Sequence, residues 1–291
     1  MIEQKQRLDT YVQQSFSLSR SQAKEAILAG FVRVNGYVQK PAYLVVEEDD
    51  VALDLEQVSA MNKATNVPVK KESMSIVFLY EDDHVLVVNK PVGMVVHEGD
   101  HAGEDTMIDC LQQRSVRLFD SGQANRPGVV HRLDRMTEGV MVFAKSEQAY
   151  MALTDQFRER RIEKQYWAIL EGNLDNDELV VDQPIARHGR VRNKYTVKAD
   201  GKAAKTVFRV MKRYNSQTLC LVQLFTGRTH QIRVHAQFIG HPIIGDALYS
   251  DTARKSGQLL QACVLGFMHP VTQQFLKFSV PRSKRFGVKH V

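Results

Sequence analysis

The sequence predicts an α+β protein in two parts: a small unit of two helices and a β-hairpin, then a larger unit built on a many-stranded sheet. Three observations carry this. Two amphipathic stretches are followed by an Asn35-Gly36 pair flanked by alternating apolar residues, the strongest short hairpin signal. A polar stretch without lasting period then separates this unit from the rest. Beyond it, short β-branched and aromatic runs outnumber helical patterns and do not alternate strictly with them.

In the first unit Leu8, Val12 and Phe16 recur at spacing four, which buries one helix face. Ser19 is placed to cap a second helix, with Gln22 completing a capping box and Leu18 as the staple. Ala23, Ala26 and Ile27 follow, and Gly30 ends the helix. Arg20 and Lys24 lie four apart and share a face. Arg33 sits in the first hairpin strand, between Val32 and Val34. The expected boundaries are 1–59 for this unit, 60–74 for a linker and 75–291 for the large unit. In the latter, strands are expected at 76–79, 85–88, 129–133, 140–144, 166–170, 206–211 and 219–225. Ser146 would cap a helix carrying Tyr150, Leu153 and Phe157. Thr229 would cap another carrying Ile232, Ala236 and Ile239, stopped by Gly240 and Pro242.

Of 291 residues, 43% are hydrophobic and 25% charged, the balance of a globular protein rather than a disordered chain. Three scattered cysteines and no C-x-x-C argue against a disulfide framework and a zinc ribbon, and for a reducing compartment. No apolar run reaches the roughly 18 residues of a membrane span, and the N-terminus lacks a signal-peptide core. A cytoplasmic setting without membrane partners is expected. The ten histidines show no H-E-x-x-H spacing, so no metal is expected either.

The net charge of +6 is unevenly spread. Residues 41–60 hold six acidic residues and no basic one. Residues 187–213 hold ten Lys/Arg, Arg190, Arg192 and Lys194 among them, against Asp200 alone. Charge runs are usually solvated faces, but so biased a run favours a polyanion nearby.

Asp134 lies between Arg132 and Arg135, between two expected strands. A carboxylate among cations stays ionised and suits a nucleophilic or electrostatic role, although the same pattern also describes a structural salt bridge. The segment His131-Arg132-Leu133-Asp134-x-x-Thr137-x-Gly139-x-x-x-x-Ala144-Lys145 resembles the signature of the RluA-type pseudouridine synthases. Further blocks agree in order: Asn89-Lys90-Pro91-Val92-Gly93-Met94-Val95-Val96-His97, Lys164-Gln165-Tyr166, and Leu224 through His235 with Gly240-His241-Pro242-Ile243-x-Gly245-Asp246. Pro91 and Gly93 suit positions two and four of a type I turn. One residue departs from the signature: Glu138 stands where Ser is common. The first unit resembles the S4 RNA-binding domain through residues 18–23, Ile27, Gly30 and 32–36.

The resemblance implies a mixed, mainly antiparallel catalytic sheet and a cofactor-free isomerase converting uridine in RNA to its carbon-linked isomer. It implies Asp134 as the attacking carboxylate, at the ribose C1′, Tyr166 stacking on the base and helping to remove the C5 proton, and Arg228 pairing with Asp134. Arg228 would sit beside the positive end of the helix that Thr229 begins. The uridine must leave its stack, and Arg132 would fill the vacated space. Phosphate contacts are expected from Arg20, Lys24, Arg33, Arg190, Arg192 and Lys194. His131 and His235 are expected to be structural. Large-subunit ribosomal RNA is the expected substrate, with transfer RNA, or an assembly factor with secondary synthase activity, as the alternatives. A monomer is the default.

Overall fold

A computed structural model describes residues 6–16, 18, 20–54, 57, 76–98, 105–123, 125–191, 193–251 and 257–287, with the backbone alone at 20–22 and 25. The chain divides into two compact units, Met1–Ser73 and Met74–Val291. The expected linker at 60–74, the Ser19 cap with its Gln22 partner, and Arg192 fall outside what is described.

The first unit runs β1 (Gln6–Arg7), α1 (Leu8–Ser15), α2 (Arg20–Leu28), β2 (Val32–Val34), β3 (Tyr37–Val38), β4 (Leu44–Val45) and β5 (Val51–Leu53). Leu8 and Val12 of α1 meet Ala23, Ala26 and Ile27 of α2 and Val32 and Val34 of β2 in one small core. Asn35 and Gly36 turn the β2–β3 hairpin at φ 52° and 83°. The acidic stretch braces this turn. Asp49 accepts from the Asn35 amide at 2.7 Å and from the Val46 N–H at 3.0 Å, and the Asn35 side-chain carbonyl accepts from the Asp50 N–H at 2.9 Å.

The second unit contains β6 (Val77–Glu81), β7 (Val85–Lys90), α3 (Met107–Gln113), β8 (Glu138–Ala144), α4 (Glu147–Arg158), β9 (Glu163–Glu171), β10 (Glu178–Asp182), β11 (Ile185–Arg187), β12 (Tyr195–Val197), β13 (Lys205–Tyr214), β14 (Gln217–Leu224), α5 (Gln231–Phe238), β15 (Leu260–Met268) and β16 (Phe275–Ser279). Nine strands form one sheet in the order β10-β13-β14-β9-β15-β8-β7-β6, with β16 pairing with β15. Every neighbour is antiparallel except β15 beside β8. Apolar side chains of β7, β8, β9, β13 and β14 form the main core with α3 and α5.

Local chemistry accounts for the helices. Ser146 accepts from Ala149 N–H and starts α4, as expected. Thr106 and Asp109 form a reciprocal capping box on α3, an element without a sequence-based expectation. The expected Thr229 cap is corrected: α5 starts after His230, which adopts φ 57° and offers no side-chain cap. The Gln231 side chain instead braces the loop before the helix, accepting from Arg228 N–H at 3.0 Å and from Thr226 Oγ1 at 2.6 Å.

The expected strand at 129–133 is also corrected. Only Val129 bridges β8, at Phe143. Farther along, the His131 ring replaces the ladder, its Nε2 accepting from Val142 N–H at 3.1 Å while it stacks on Phe157. A side chain has taken the bond that a strand carbonyl would accept, so the segment leading to Asp134 runs irregularly. The expected type I turn at 90–93 does not close on itself either: Gly93 N–H donates to Arg135 O at 2.9 Å.

Candidate active site

Asp134 follows this irregular segment and precedes β8 by four residues. Lys90, at the end of β7, holds the segment in place. Its buried amine donates to the carbonyls of Pro91, Met94 and Arg135 at 2.9, 2.8 and 3.1 Å, using all three hydrogens. Burial pushes this amine down to about 7, against the pull of Asp134 and Glu138.

The cation on Asp134 is Arg233, from the first turn of α5, rather than Arg228. Arg233 Nη1 reaches Asp134 Oδ2 at 2.8 Å, while its Nε and Nη2 form a two-pronged pair with Asp246 at 2.6 and 2.8 Å. Asp246 is fully buried and also accepts from Leu248 and Tyr249 N–H, so Arg233 is held on a fixed carboxylate. Arg228 precedes the helix, as expected, but its Nε is turned to Ala203 O at 3.1 Å, while Arg233, inside the first turn, is the one aimed at Asp134. Burial alone would raise the Asp134 carboxyl. The charges of His230, Arg233 and Arg132 and the Arg233 hydrogen bond outweigh burial and hold it below the usual range. Its side chain keeps 21% exposure, so a substrate has access to an ionised carboxylate.

His230 Nε2 lies 3.8 Å from Asp134 Oδ2. Its Nδ1 meets the Tyr249 hydroxyl at 2.9 Å, and that hydroxyl accepts from Tyr195 N–H at 2.8 Å. Burial pushes His230 down, so at neutral pH the lasting charges beside Asp134 are arginines.

Tyr166 on β9 is buried and lines the same cavity as Asp134, together with Arg132, Lys164 and Arg228. This cavity measures about 520 Å³, and a second of about 400 Å³ meets it at Arg132, Asp134 and His230. Both volumes lie in the range of small-ligand sites. Burial, then Asp134, pushes the Tyr166 phenol up, so it stays protonated. Arg132 is exposed at the junction of the two cavities.

His131 is held neutral by burial, down to about 3, and His235 is fully buried between Thr206 Oγ1 and Gln183 O. His235 is closed off within the fold, while His131, bonded to Val142 N–H, also lines the cavity that holds Asp134. The extra charge of Glu138 is matched by Arg285, whose Nη1 lies 2.8 Å away. Among the described residues no His, Cys, Asp and Glu cluster fit for a metal ion occurs.

The expected RNA contacts fall in separate places. Lys24 and Arg33 are exposed in the first unit, where Arg33 Nη1 also donates to Gly36 O. Arg190 and Lys194 lie in the turn joining β11 to β12. That hairpin is tied to the site through Tyr195 N–H on Tyr249, with the Lys194 amine 5.3 Å from the Tyr249 ring. The basic run is not one free patch: Arg209 pairs with Glu178, Arg213 with Asp177 and Lys198 with Asp200.

Sequence reasoning gave no role to Arg233, Asp246, His230, Tyr249 or Lys164. The signal for Lys164 was available, since it stands two residues before Tyr166 on a strand and therefore on the same face. Arg233, His230 and Asp246 lay inside quoted motifs without a role.

Comparison with known proteins gives the family. A family model described as RNA pseudouridylate synthase matches residues 84–238, and one described as S4 domain matches 6–51. A protein named uncharacterized RNA pseudouridine synthase, from Aquifex aeolicus, is 37% identical over 297 residues, covering 97% of this chain and 92% of that relative. A protein named ribosomal large subunit pseudouridine synthase D, from Vibrio parahaemolyticus, is 36% identical, covering 95% of this chain and 87% of its own. Among solved structures, human RNA pseudouridylate synthase domain containing 4 superposes with a TM-score of 0.55 at 25% identity, covering 80% of this chain and 95% of its own. Fold and site define an RNA-modifying isomerase that carries a separate RNA-binding module. The chain belongs to the RNA pseudouridylate synthase family, of the RluA type.

Proposed function

We propose that the protein isomerises uridine in large-subunit ribosomal RNA, with the Asp134 carboxylate as nucleophile. The observation that carries this is an accessible carboxylate, kept ionised by a fixed Arg233, at the junction of two cavities that also hold Tyr166 and Arg132. Asp134 attacks the ribose C1′ as the glycosidic bond breaks. The freed uracil turns within the cavity, and as C5 bonds to C1′ the Asp134–C1′ bond breaks and releases the carboxylate; C5 then gives its proton to water and N1 takes one up, so that atoms are conserved. Tyr166, protonated and buried, packs against the base and stands beside the carbon that loses that proton. Arg228 lines the cavity, and its role is to hold RNA rather than Asp134. Arg20, Lys24, Arg33, Arg190, Arg192 and Lys194 contact phosphate, and Arg132 occupies the gap left by the flipped nucleotide. Relatives of near full length that carry the large-subunit name support this choice of RNA.

Pseudouridines in large-subunit RNA are mapped in cells with the protein, without it, and with Asp134→Ala in its place. At least one site should vanish without the protein and stay absent with Asp134→Ala, while the purified variant still binds the RNA. Pseudouridine formation by Asp134→Ala would refute the nucleophile.

A further inference from the structure

Two lysines of the second unit are drawn in from solvent, and they differ in one respect. Lys90 spends its three hydrogens on three carbonyls at 2.8–3.1 Å and needs nothing more. Lys164 is half-buried and has a single hydrogen bond, a long one of 3.3 Å to Thr226 O. Among the described residues it has no carboxylate partner, and its amine lies 5.9 Å from the Phe157 ring centre. Gly227 lies beside the amine, which is 3.6 Å from where a Cβ at that position would sit. An ammonium held half out of water with most of its hydrogens unspent is costly unless an anion arrives.

The surroundings point the same way. The cavity that Lys164 shares with Asp134 and Tyr166 is also lined by Arg132, Arg160 and Arg228. None of these three arginines makes an ion pair with a described residue. The carboxylate in the cavity, Asp134, is already matched by Arg233. Arg160 is exposed, just past the end of α4, where its φ of 61° closes the helix. Uracil is neutral and does not answer this charge. The phosphodiester of the RNA strand does.

We propose that Lys164, with Arg160 and Arg228 at the rim, seats the phosphate adjoining the uridine on which Asp134 acts. This rests on the reading that Asp134 isomerises uridine in RNA, and it adds a named anchor for the strand beside the flipped nucleotide. The amine is ready for that role, because burial and the like charge of Arg160 hold it at about 8, still protonated at neutral pH. A phosphate in contact would raise it.

The test has two arms. In the first, turnover is measured on deproteinised large-subunit ribosomal RNA from cells lacking the protein, over a range of KCl. Lys164→Met should lower kcat/KM by about 10- to 100-fold, the loss of one charge-assisted hydrogen bond. It should also reduce the slope of log kcat/KM against log salt by about 0.7 to 0.9, the share of one phosphate contact. Lys164→Arg should keep the slope. A lysine that only props up the loop would lower activity and leave the slope alone, which overturns the proposal.

In the second arm, wild-type protein with ¹³C-labelled lysine is titrated with uridine and with its 3′- and 5′-monophosphates. A monophosphate, and not uridine, should move the Lys164 midpoint above 8. An equal response to all three overturns the proposal, whether or not the variants fold. This arm needs no turnover. Failure of the wild type to form pseudouridine in any RNA would sink the Asp134 reading and leave the titration to decide the subsite.

Discussion

At the scale of single residues, the site is a chain of fixed charges: Asp246 holds Arg233, and Arg233 holds Asp134. Replacing Arg233 with Gln removes a cation from one carboxylate and leaves the other buried without one. The acid limb of kcat/KM, set by protonation of Asp134, should move up by about 1–2 pH units. Global stability should fall by about 3–5 kcal/mol, because Asp246 has no exposure through which water could replace the arginine. A pH–rate profile and a urea melt check the two effects. The sign for stability follows from the depressed carboxyl. Below its folded-state value Asp134 is protonated in both folded and unfolded chains, so its contribution is present above the ordinary carboxylate range and is lost as pH falls through the lowered value. The choice between Arg228 and Arg233 was not legible in the sequence. It depends on partners far apart in the chain: Asp246 holds Arg233 toward Asp134, while Arg228 turns to Ala203 O.

At the scale of elements, the legible parts were those whose bonds are local. Ser146 caps α4 three residues away, and Asn35-Gly36 marks the hairpin through its own dihedral angles, although Asp49 and Asp50 brace it from farther along the chain. The segment before Asp134 was misread because its apolar pattern suits a strand, while its partner is a side chain, His131, bonding across to Val142. The departure at Glu138 also makes sense only at this scale. Arg285, in the short 3-10 turn Lys284–Phe286, reaches Glu138 at the start of β8, and Phe286 beside it is buried against Ile169, Leu219, Ile244 and Leu259. The pair fastens the segment after β16 to the strand that follows Asp134. Each side chain keeps less than a fifth of its exposure, so Glu138→Gln should destabilise the protein by about 1–3 kcal/mol. Differential scanning calorimetry of Glu138→Gln, Arg285→Ala and the double variant checks this: the double should cost less than the sum of the singles. Gly139 next to it fixes the spacing of β8 and β15, since a Cβ there would sit 2.1 Å from Ala262 O.

At the scale of the whole molecule, each unit has its own core, and both the S4 assignment and the pseudouridine synthase assignment were legible from motifs. Removing residues 1–73 should leave the melting temperature of the remainder within a few degrees of its transition in the full chain. RNA affinity should fall, and the slope of log affinity against log salt should become shallower by about 0.7 to 0.9 for each phosphate that the first unit no longer neutralises. Filter binding across a salt series checks this, and an unchanged slope would remove the first unit from the interface. The free cationic surface was only partly legible. Composition counts Arg209 and Arg213 with Arg190, but the fold places carboxylates of 177 and 178 against the first two.

The sheet order has a consequence for how the protein is made. β15 lies between β9 and β8, yet both neighbours leave the ribosome well before it does. Until residues 260–268 emerge, the half-sheet carrying Tyr166 and the half-sheet leading back to Asp134 share no hydrogen-bonded neighbour. At 5–20 residues per second, synthesis of the second unit takes roughly 10–40 s, and for most of that time the nascent chain has a finished RNA-gripping module and no working centre. Such a chain should contact RNA before it is able to modify it, with two open sheet edges in need of protection from neighbouring chains.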